Sequence, residues 1–360
     1  MIFTIIIFFL VLSLLVIIHE LGHFVVAKLN GIRVEEFGFG IPPRIFGIRF
    51  GETLYSLNLL PFGGFVKVFG EELAEVDDSK ISKKDRESSF AHKKPWQKLA
   101  VLVAGVTLNF VLGWVIVSYL FTKGVPVPSD NVVVQSVSQE SPASNAGLMV
   151  GDMIITAQTP DGKDTTVKET KDISQIAQKH AGKEIVLSVK RAEKVFETNI
   201  TPRANPPKGQ GALGIVISNY TIKKYSATEA PIYGLVESAR ITGIIARELG
   251  KTLFKFVTFQ KQEAEIAGPV GIAKLTSDAA KQGIDPLLQL IGLLSLNLAV
   301  LNILPFPALD GGRAVFVIYE WISGKKVHAR FEQRLNFAGF ALLISLLILV
   351  TINDIIKIFR

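Results

Sequence analysis

Apolar residues fill four stretches of this chain almost without interruption. Residues 2 to 18 hold no charged side chain, and the apolar run continues to Leu29. Similar runs cover Leu99 to Thr122 and Leu335 to about Ile352. A further run starts near Leu287 and is stopped by Pro305 and Pro307. Each is long enough, as a helix, to cross a bilayer core. The stretches between them are mixed. Alternation at 53–59 and 65–69, with glycines at the turns, predicts short strands. Residues 127 to about 205 predict a separate α+β region, with strands at 132–137, 184–190 and 195–201 and a helix near 170–180. From 229 to 258, Leu235, Ala239, Ala246, Leu249, Leu253, Phe256 and Val257 interleave with Arg240, Arg247, Lys251 and Lys255, and Thr242 is the polar member of the apolar stripe. That pattern predicts an amphipathic helix lying on a membrane or clamping a partner helix, with a face buried against the neighbouring α+β region as the competing reading.

Composition agrees with spans joined to soluble parts. Hydrophobic residues make up 49% of the 360, too many for an ordinary soluble chain, and charged residues 20%, too many for a bundle that is all membrane. No cysteine is present, which excludes disulfides and thiolate metal sites. The net charge of +7 is concentrated beside the spans. Arg33, Arg44, Arg49, Lys67, Lys80, Lys83, Lys84, Arg86, Lys93, Lys94 and Lys98 fall between the first two spans. Arg313, Lys325, Lys326, Arg330 and Arg334 fall between the last two. Basic loops against an anionic membrane face explain the charge better than nucleic acid, and no nucleic-acid partner is expected. By the positive-inside rule these two loops are cytoplasmic, and the N-terminus, residues 123–286 and the C-terminus are outside. The first run has no basic leader, so it reads as a retained span and not a cleaved signal peptide.

One span carries chemistry. His19-Glu20-Leu21-Gly22-His23 reads H-E-x-x-H, a zinc-protease signature, inside the first apolar run. Ionisable groups are expensive in hydrocarbon and are kept there for a function. His19 and His23 lie one turn apart, so both imidazoles leave one helix face and can grip one zinc. Glu20 points about 100° away, placed to act as general base and not as ligand. A third ligand must come from elsewhere at the same depth. His19 is about 26 Å from the outer end of its span, nearer the cytoplasmic face. Asp310, at the end of the third span, falls at that depth. On its own segment it reads as a helix stop followed by an ordinary Asp-Gly-Gly turn; together with H-E-x-x-H it becomes the candidate ligand. Gly311 and Gly312 would let the backbone pass close to a metal.

Together, H-E-x-x-H at 19–23 and Asn302-x-x-Pro305-x-Pro307-x-Leu309-Asp310-Gly311 make the chain resemble a site-2 protease of the RseP type, an intramembrane zinc metalloprotease. The resemblance covers the whole chain. It implies Zn2+ held by His19, His23 and Asp310, with Glu20 as catalytic base, and Asn302, Pro305 and Pro307 lining the substrate site. It also implies that substrates are transmembrane proteins, such as trimmed anti-sigma factors or signal-peptide remnants, cut in the bacterial cytoplasmic membrane. Gly38-Phe39-Gly40 and Asn58 to Val68 resemble the membrane-associated β-structure of these proteases. A strand edge there would hold unwound substrate by main-chain hydrogen bonds.

Ser141-Pro142-Ala143 followed by Ala146-Gly147-Leu148 and Gly151-Asp152 resembles a PDZ domain, and Gly211 to Ile215 a carboxylate-binding turn. A peptide ligand or a steric filter are both open roles for it. The expected fold is thus a multi-pass α-helical membrane protein with four transmembrane helices, a membrane-associated β-structure and one external PDZ-like α+β domain. Its expected divisions are 1–30 (first span), 31–98 (cytoplasmic loop with β-structure), 99–122 (second span), 127–205 (PDZ-like domain), 206–286 (exit strand and amphipathic segment on the bilayer), 287–334 (third span and L-D-G motif) and 335–353 (fourth span). The rival reading is a membrane-anchored PDZ adaptor with an inactive protease core, which has no need of Glu20 and Asp310. A zinc carrier would show several polar sites along a path, where the sequence shows one cluster.

Overall fold

The computed structural model describes residues 2–71, 82–258, 260 and 268–358. Lys80 and the side chains of Phe256 and Val257, used above, lie outside the described residues. Two compact units emerge, one formed by Met1–Leu120 and Ala227–Arg360, the other by Phe121–Ser226.

Among the described residues, the first unit holds four helices long and apolar enough to cross a membrane, Phe3–Leu29, Pro95–Lys123, Ile284–Ile303 and Arg330–Lys357. They belong to α1 (Ile2–Leu29), α3 (Pro95–Lys123), α8 (Ile284–Ile303) and α10 (Ala329–Ile358). Val11 and Leu15 of α1, Ile116 of α3 and Ile291 of α8 form one buried cluster. The outward apolar side chains of α10, among them Phe337, Phe340, Leu346 and Leu349, stay exposed, as lipid-facing residues do.

Between α1 and α3 lies a β-structure folded from β1 (Val34–Phe50) and β2 (Thr53–Val68). Val34–Phe39 pairs with Gly64–Val68 on one side and with Leu54–Leu57 on the other, and Phe46–Phe50 returns along Thr53–Leu57. Asn58, buried, donates to the Phe39 and Gly40 carbonyls at 3.2 Å each, which fixes the kink where β1 changes partner. The arm from Ile41 to Phe50 is exposed throughout and rich in Ile and Phe, a face suited to lipid. Ala27 of α1, Val34, Val68, Val101 of α3 and Ala314 of α9 (Asp310–Ser323) share a buried cluster, which ties the β-structure to three helices. The short α2 (Lys83–Ser88) is capped by Ser82, whose hydroxyl accepts from the Asp85 amide. Ser82 and Arg33 hold the exposed Asp85 carboxyl below its ordinary pKa.

The amphipathic segment is α6 (Ala230–Val257). Its protein-facing stripe is Ala230, Gly234 and Ser238, all buried, with Gly234 packed on Ser118 of α3. Leu235, Ala239, Ala246 and Leu253 are exposed, so the larger apolar residues are left for lipid. Gly268 precedes α7 (Pro269–Gln282), and the Gly271 amide donates to Asp354 Oδ2 of α10 at 2.7 Å. A Cβ at Gly268 would come within 2.8 Å of that same oxygen. The Gly-Pro-Val-Gly sequence at 268–271 is therefore the seat for a carboxylate cap.

The second unit is a PDZ-like α+β domain. It contains β3 (Val125–Val137), α4 (Pro142–Asn145), β4 (Met153–Gln158), β5 (Asp164–Thr166), α5 (Thr170–Lys179), β6 (Ile185–Arg191), β7 (Lys194–Ile200) and β8 (Ile215–Lys223). The sheet order is β7-β6-β4-β3-β8, with β5 beside β4 and every pair antiparallel. Strand β8 runs along β3 from Val137↔Ile215 to Val125↔Lys223, so the ends of the insert lie side by side. Val132, Val134, Ile154, Leu187 and Val189 of the sheet bury against Ile173 and Ala177 of α5. Asp152, wholly buried, takes two hydrogen bonds from Arg191, at 2.7 and 2.8 Å, and one from the Met149 amide at 2.8 Å.

Candidate metal centre within the membrane helices

Three ligand-type atoms meet between α1 and the start of α9. His19 Nε2 lies 3.2 Å from His23 Nε2 and 3.0 Å from Asp310 Oδ2, and His23 Nε2 lies 3.3 Å from the same oxygen. A zinc ion with bonds of about 2.0–2.1 Å has tetrahedral edges of about 3.3–3.4 Å. The triangle is therefore within a few tenths of an ångström of one face of that tetrahedron. Asp310 Oδ2 is buried without a hydrogen bond, so the two imidazoles are not aligned as its donors. The two imidazole nitrogens and this oxygen lie within 3.3 Å of one another. His23 Nδ1 donates to the Val101 carbonyl at 2.8 Å, which leaves its Nε2 lone pair free for a metal. Both imidazoles are buried, and His19, His23 and Asp310 are the group of acid and imidazole ligands among the described residues that could hold an ion.

Close helix contact makes the triangle possible. A Cβ at Gly22 would collide with the Ala104 carbonyl of α3. One at Gly105 would lie 2.5 Å from His23 Nε2 and 2.7 Å from His19 Cε1. The variable position of H-E-x-x-H just before His23 is thus a contact point, and the imidazoles rest on bare α3 backbone.

Asp310 arrives by a broken helix. Helix α8 ends at Ile303, Pro305 and Pro307 prevent its continuation, and α9 begins at Asp310 itself. Gly311 and Gly312 form the first turn of α9, and do not make a free turn. A Cβ on either would strike backbone, the Ile303 and Leu304 carbonyls for Gly311 and the Phe306 carbonyl for Gly312. Their bareness lets the loop fold over the helix start. Ala308 has a positive φ of 73°, and its amide donates to Asn336 Oδ1 of α10 at 3.2 Å. Pro307 packs on Gly339 of α10, where a Cβ would lie 2.6 Å from the proline Cβ. Pro305 is exposed. Asn302, on the last turn of α8, brings its Nδ2 within 3.4 Å of both His19 ring nitrogens.

A cavity of about 600 Å³ opens beside the triangle, lined by Glu20, His23, Phe65, Val66, Asp310 and Arg313 among others. Charged pairs ring it. Arg313 bonds Glu71, at the end of the β-structure, and Lys98 Nζ lies 3.6 Å from Glu320. Burial works against the Arg313 charge, but Glu71 and Glu332 beside it prevail and hold its pKa above the ordinary value. Strand Gly64–Val68 borders this cavity, and a Cβ at Gly64 would lie 3.5 Å from Glu20 Cγ.

Of the residues expected from sequence, the structure brings His19, His23, Asp310 and Asn302 together with Glu20 beside them, and leaves Pro305 and Pro307 outside the cavity lining. Reasoning from sequence misses Val101, Gly105 and Asn109 of α3, which all face the imidazoles, and Asn336 of α10. The available signal was Asn109, a polar residue in the middle of an apolar span, which tends to face the bundle interior.

Paired histidines and an aspartate converging beside a glutamate, within helices of spanning length, define a zinc metalloprotease whose centre lies in the membrane. Comparison with known proteins agrees. The chain belongs to peptidase family M50, whose family model matches residues 7–346. A Clostridium perfringens protein is 37% identical over 348 residues, 96% of each chain. Zinc metalloprotease RasP of Bacillus licheniformis is 32% identical over 429 aligned positions, and the regulator of sigma-W protease RasP of Bacillus subtilis 31% over the same length, with 99% of each chain covered. Among solved structures, the PDZ domain of an SdrC-like protein of Listeria monocytogenes is 24% identical, covering 26% of this chain and 93% of that one, with a TM-score of 0.21.

Proposed function

We propose that this protein hydrolyses a peptide bond inside the membrane segment of single-span proteins, near the cytoplasmic face. In this reading His19, His23 and Asp310 hold zinc. The observation that carries it is the triangle of ligand atoms with 3.0–3.3 Å edges beside a cavity that Glu20 also lines. Zinc bound there supplies Lewis-acid activation of water and of the scissile carbonyl. Glu20 takes the proton from the attacking water and delivers it to the leaving amine. Val101 O keeps His23 in the tautomer that ligates through Nε2.

Substrate is held extended along Gly64–Val68. That strand pairs on one side with Val34–Phe39, and among the described residues no strand pairs with its other side. Addition of a substrate strand there would expose a peptide bond that a helix would shield. In this reading Asn302, Pro305 and Pro307 also contact the substrate, as the family resemblance implies. Substrates are proteins already trimmed outside the membrane, of the anti-sigma-factor or signal-peptide-remnant kind. The enzyme sits in the bacterial cytoplasmic membrane with the PDZ-like unit external, as the Lys and Arg asymmetry indicates. That unit restrains bulky substrates or captures new C-termini.

The test is cleavage of a tagged single-span substrate in detergent by wild type and Glu20→Gln, with and without a chelator. Glu20→Gln should keep its zinc and leave the substrate uncut. Undiminished cleavage by the variant would refute Glu20 as the base.

A further inference from the structure

His19 has a requirement that the ligand triangle does not meet. If its Nε2 ligates zinc, its Nδ1 must carry the proton, and a buried N–H needs an acceptor. His23 has one in the Val101 carbonyl. The nearest polar atom to His19 Nδ1 is the Asn109 amide, 3.3 Å away on α3. As oriented, that amide offers Nδ2, a donor facing a donor. Its Oδ1 is meanwhile buried and has no hydrogen-bond partner. Amide oxygen and nitrogen are assigned from their surroundings, and a half-turn of this amide replaces the donor-to-donor contact with an acceptor on His19 Nδ1–H and gives Oδ1 the partner it lacks. Oδ1 then faces His19 Nδ1–H at hydrogen-bond distance.

We infer that Asn109 is the positioning residue of the metal site, with its Oδ1 accepting from His19 Nδ1–H and holding Nε2 on the metal. Its location suits the task. Asn109 is wholly buried, and its backbone carbonyl is fixed by Ser295 Oγ of α8 at 2.7 Å. Asn302 is the competing acceptor, but it is only half-buried and stands 3.4 Å from both ring nitrogens, favouring neither. A single helix, α3, then orients both imidazoles, through Val101 for His23 and Asn109 for His19. Such outer partners of metal-bound histidines typically govern affinity by 10–100-fold.

The inference rests on zinc ligation by His19 as proposed above. The experiment measures zinc affinity of the full-length protein in detergent, by competition with a chromophoric chelator, for wild type, His19→Ala, Asn109→Leu, Asn109→Asp and Asn302→Leu. If wild type and His19→Ala bind equally, the ligation reading itself fails. If they differ, Asn109→Leu should bind roughly 10–100-fold more weakly, while Asn109→Asp, which keeps an acceptor and has no amide donor, should stay near wild type. The melting temperature of the zinc-free protein should change little. With only five histidines in the chain, ¹⁵N-histidine spectra can resolve His19 Nδ1–H, whose proton signal should lose its hydrogen-bonded shift in Asn109→Leu. Should Asn109→Leu not fold, the Asp variant decides through both readouts, since retained affinity together with a retained hydrogen-bonded His19 Nδ1–H shift requires an acceptor at 109 and loss of that shift refutes it. Loss in the Asp variant, or loss in Asn302→Leu with none in Asn109→Leu, overturns the inference.

Discussion

Gly105→Ala adds one methyl group and should disable the enzyme. The new Cβ would lie 2.5 Å from His23 Nε2, 2.7 Å from His19 Cε1 and 2.9 Å from His19 Nδ1. Ordinary contact needs about 3.5 Å, so either α3 retreats by about 1 Å or both imidazoles swing away. Neither is harmless. A retreat of that size lengthens the 2.8 Å bond between His23 Nδ1 and Val101 O beyond hydrogen-bond range. A swing opens a triangle that now matches a zinc coordination face. Overpacking of this kind costs about 1–3 kcal/mol in stability. The loss of function should be larger, with zinc affinity down about 10–100-fold and turnover down about 10²-fold for a site displaced by an ångström. The assay is zinc content and single-turnover cleavage on protein purified in detergent, with Gly243→Ala as control. Gly243 is in helix α6 with nothing within 4 Å of its Cβ position, so alanine there should gain up to about 1 kcal/mol of helix stability and change neither readout. Wild-type zinc content and rate in Gly105→Ala would refute the argument that α3 backbone is the bed of the metal site.

Asp310→Ala should lose most bound zinc and all cleavage, and stoichiometric zinc in that variant would remove Asp310 from the ligand set. Glu71→Gln and Arg313→Met break a half-buried ion pair and should each destabilise by about 1–3 kcal/mol, with the double variant much less affected than their sum; additive losses would show that the pair does not couple the β-structure to α9. Chelation should lower the melting temperature of the membrane unit and leave that of the PDZ-like unit unchanged, and a chelator-insensitive melt would show that zinc does not support the fold. Cysteine placed at Ser129 should label with an impermeant thiol reagent in intact cells and cysteine at Ser82 should not, with no native cysteine to interfere; the reverse pattern would invert the topology.

The spans were legible because bilayer thickness demands about 20 apolar residues and nothing else in this chain mimics that length. The convergence of the two histidines was legible because one helical turn dictates their spacing, and the approach of Asp310 because helix rise puts it at a matching depth. What stayed hidden was contact across helices. Gly105 reads in sequence as one small residue of an apolar span; only the approach of α1 shows that its missing side chain is a cradle. Gly311 and Gly312 read as a turn, yet they open a helix, because their neighbours in space are carbonyls of residues six to eight positions earlier. The Gly-Pro-Val-Gly sequence at 268–271 had no local rationale either, since its partner Asp354 is more than eighty residues away. Local pattern fixes what an element is; it is silent on which backbone another element will touch.

That division bears on how a polar site survives in hydrocarbon. Two imidazoles and two carboxyl groups cannot be held there singly, for each would carry its desolvation cost alone. Here they share one cluster, and the protein spends rigid elements to keep them together. Helix α3 fixes His23 through a backbone carbonyl, which no substitution can remove. The broken α8–α9 junction places Asp310 through the positive φ of Ala308, its amide hydrogen bond to Asn336 of α10, and the close packing of Gly311 and Gly312. A flexible site would let each ligand relax toward a private hydrogen bond, and Asp310 Oδ2 would not be left buried and unpartnered. Its being so is what a metal-binding triangle requires before the metal arrives, because lone pairs already satisfied by protein donors have nothing left to give.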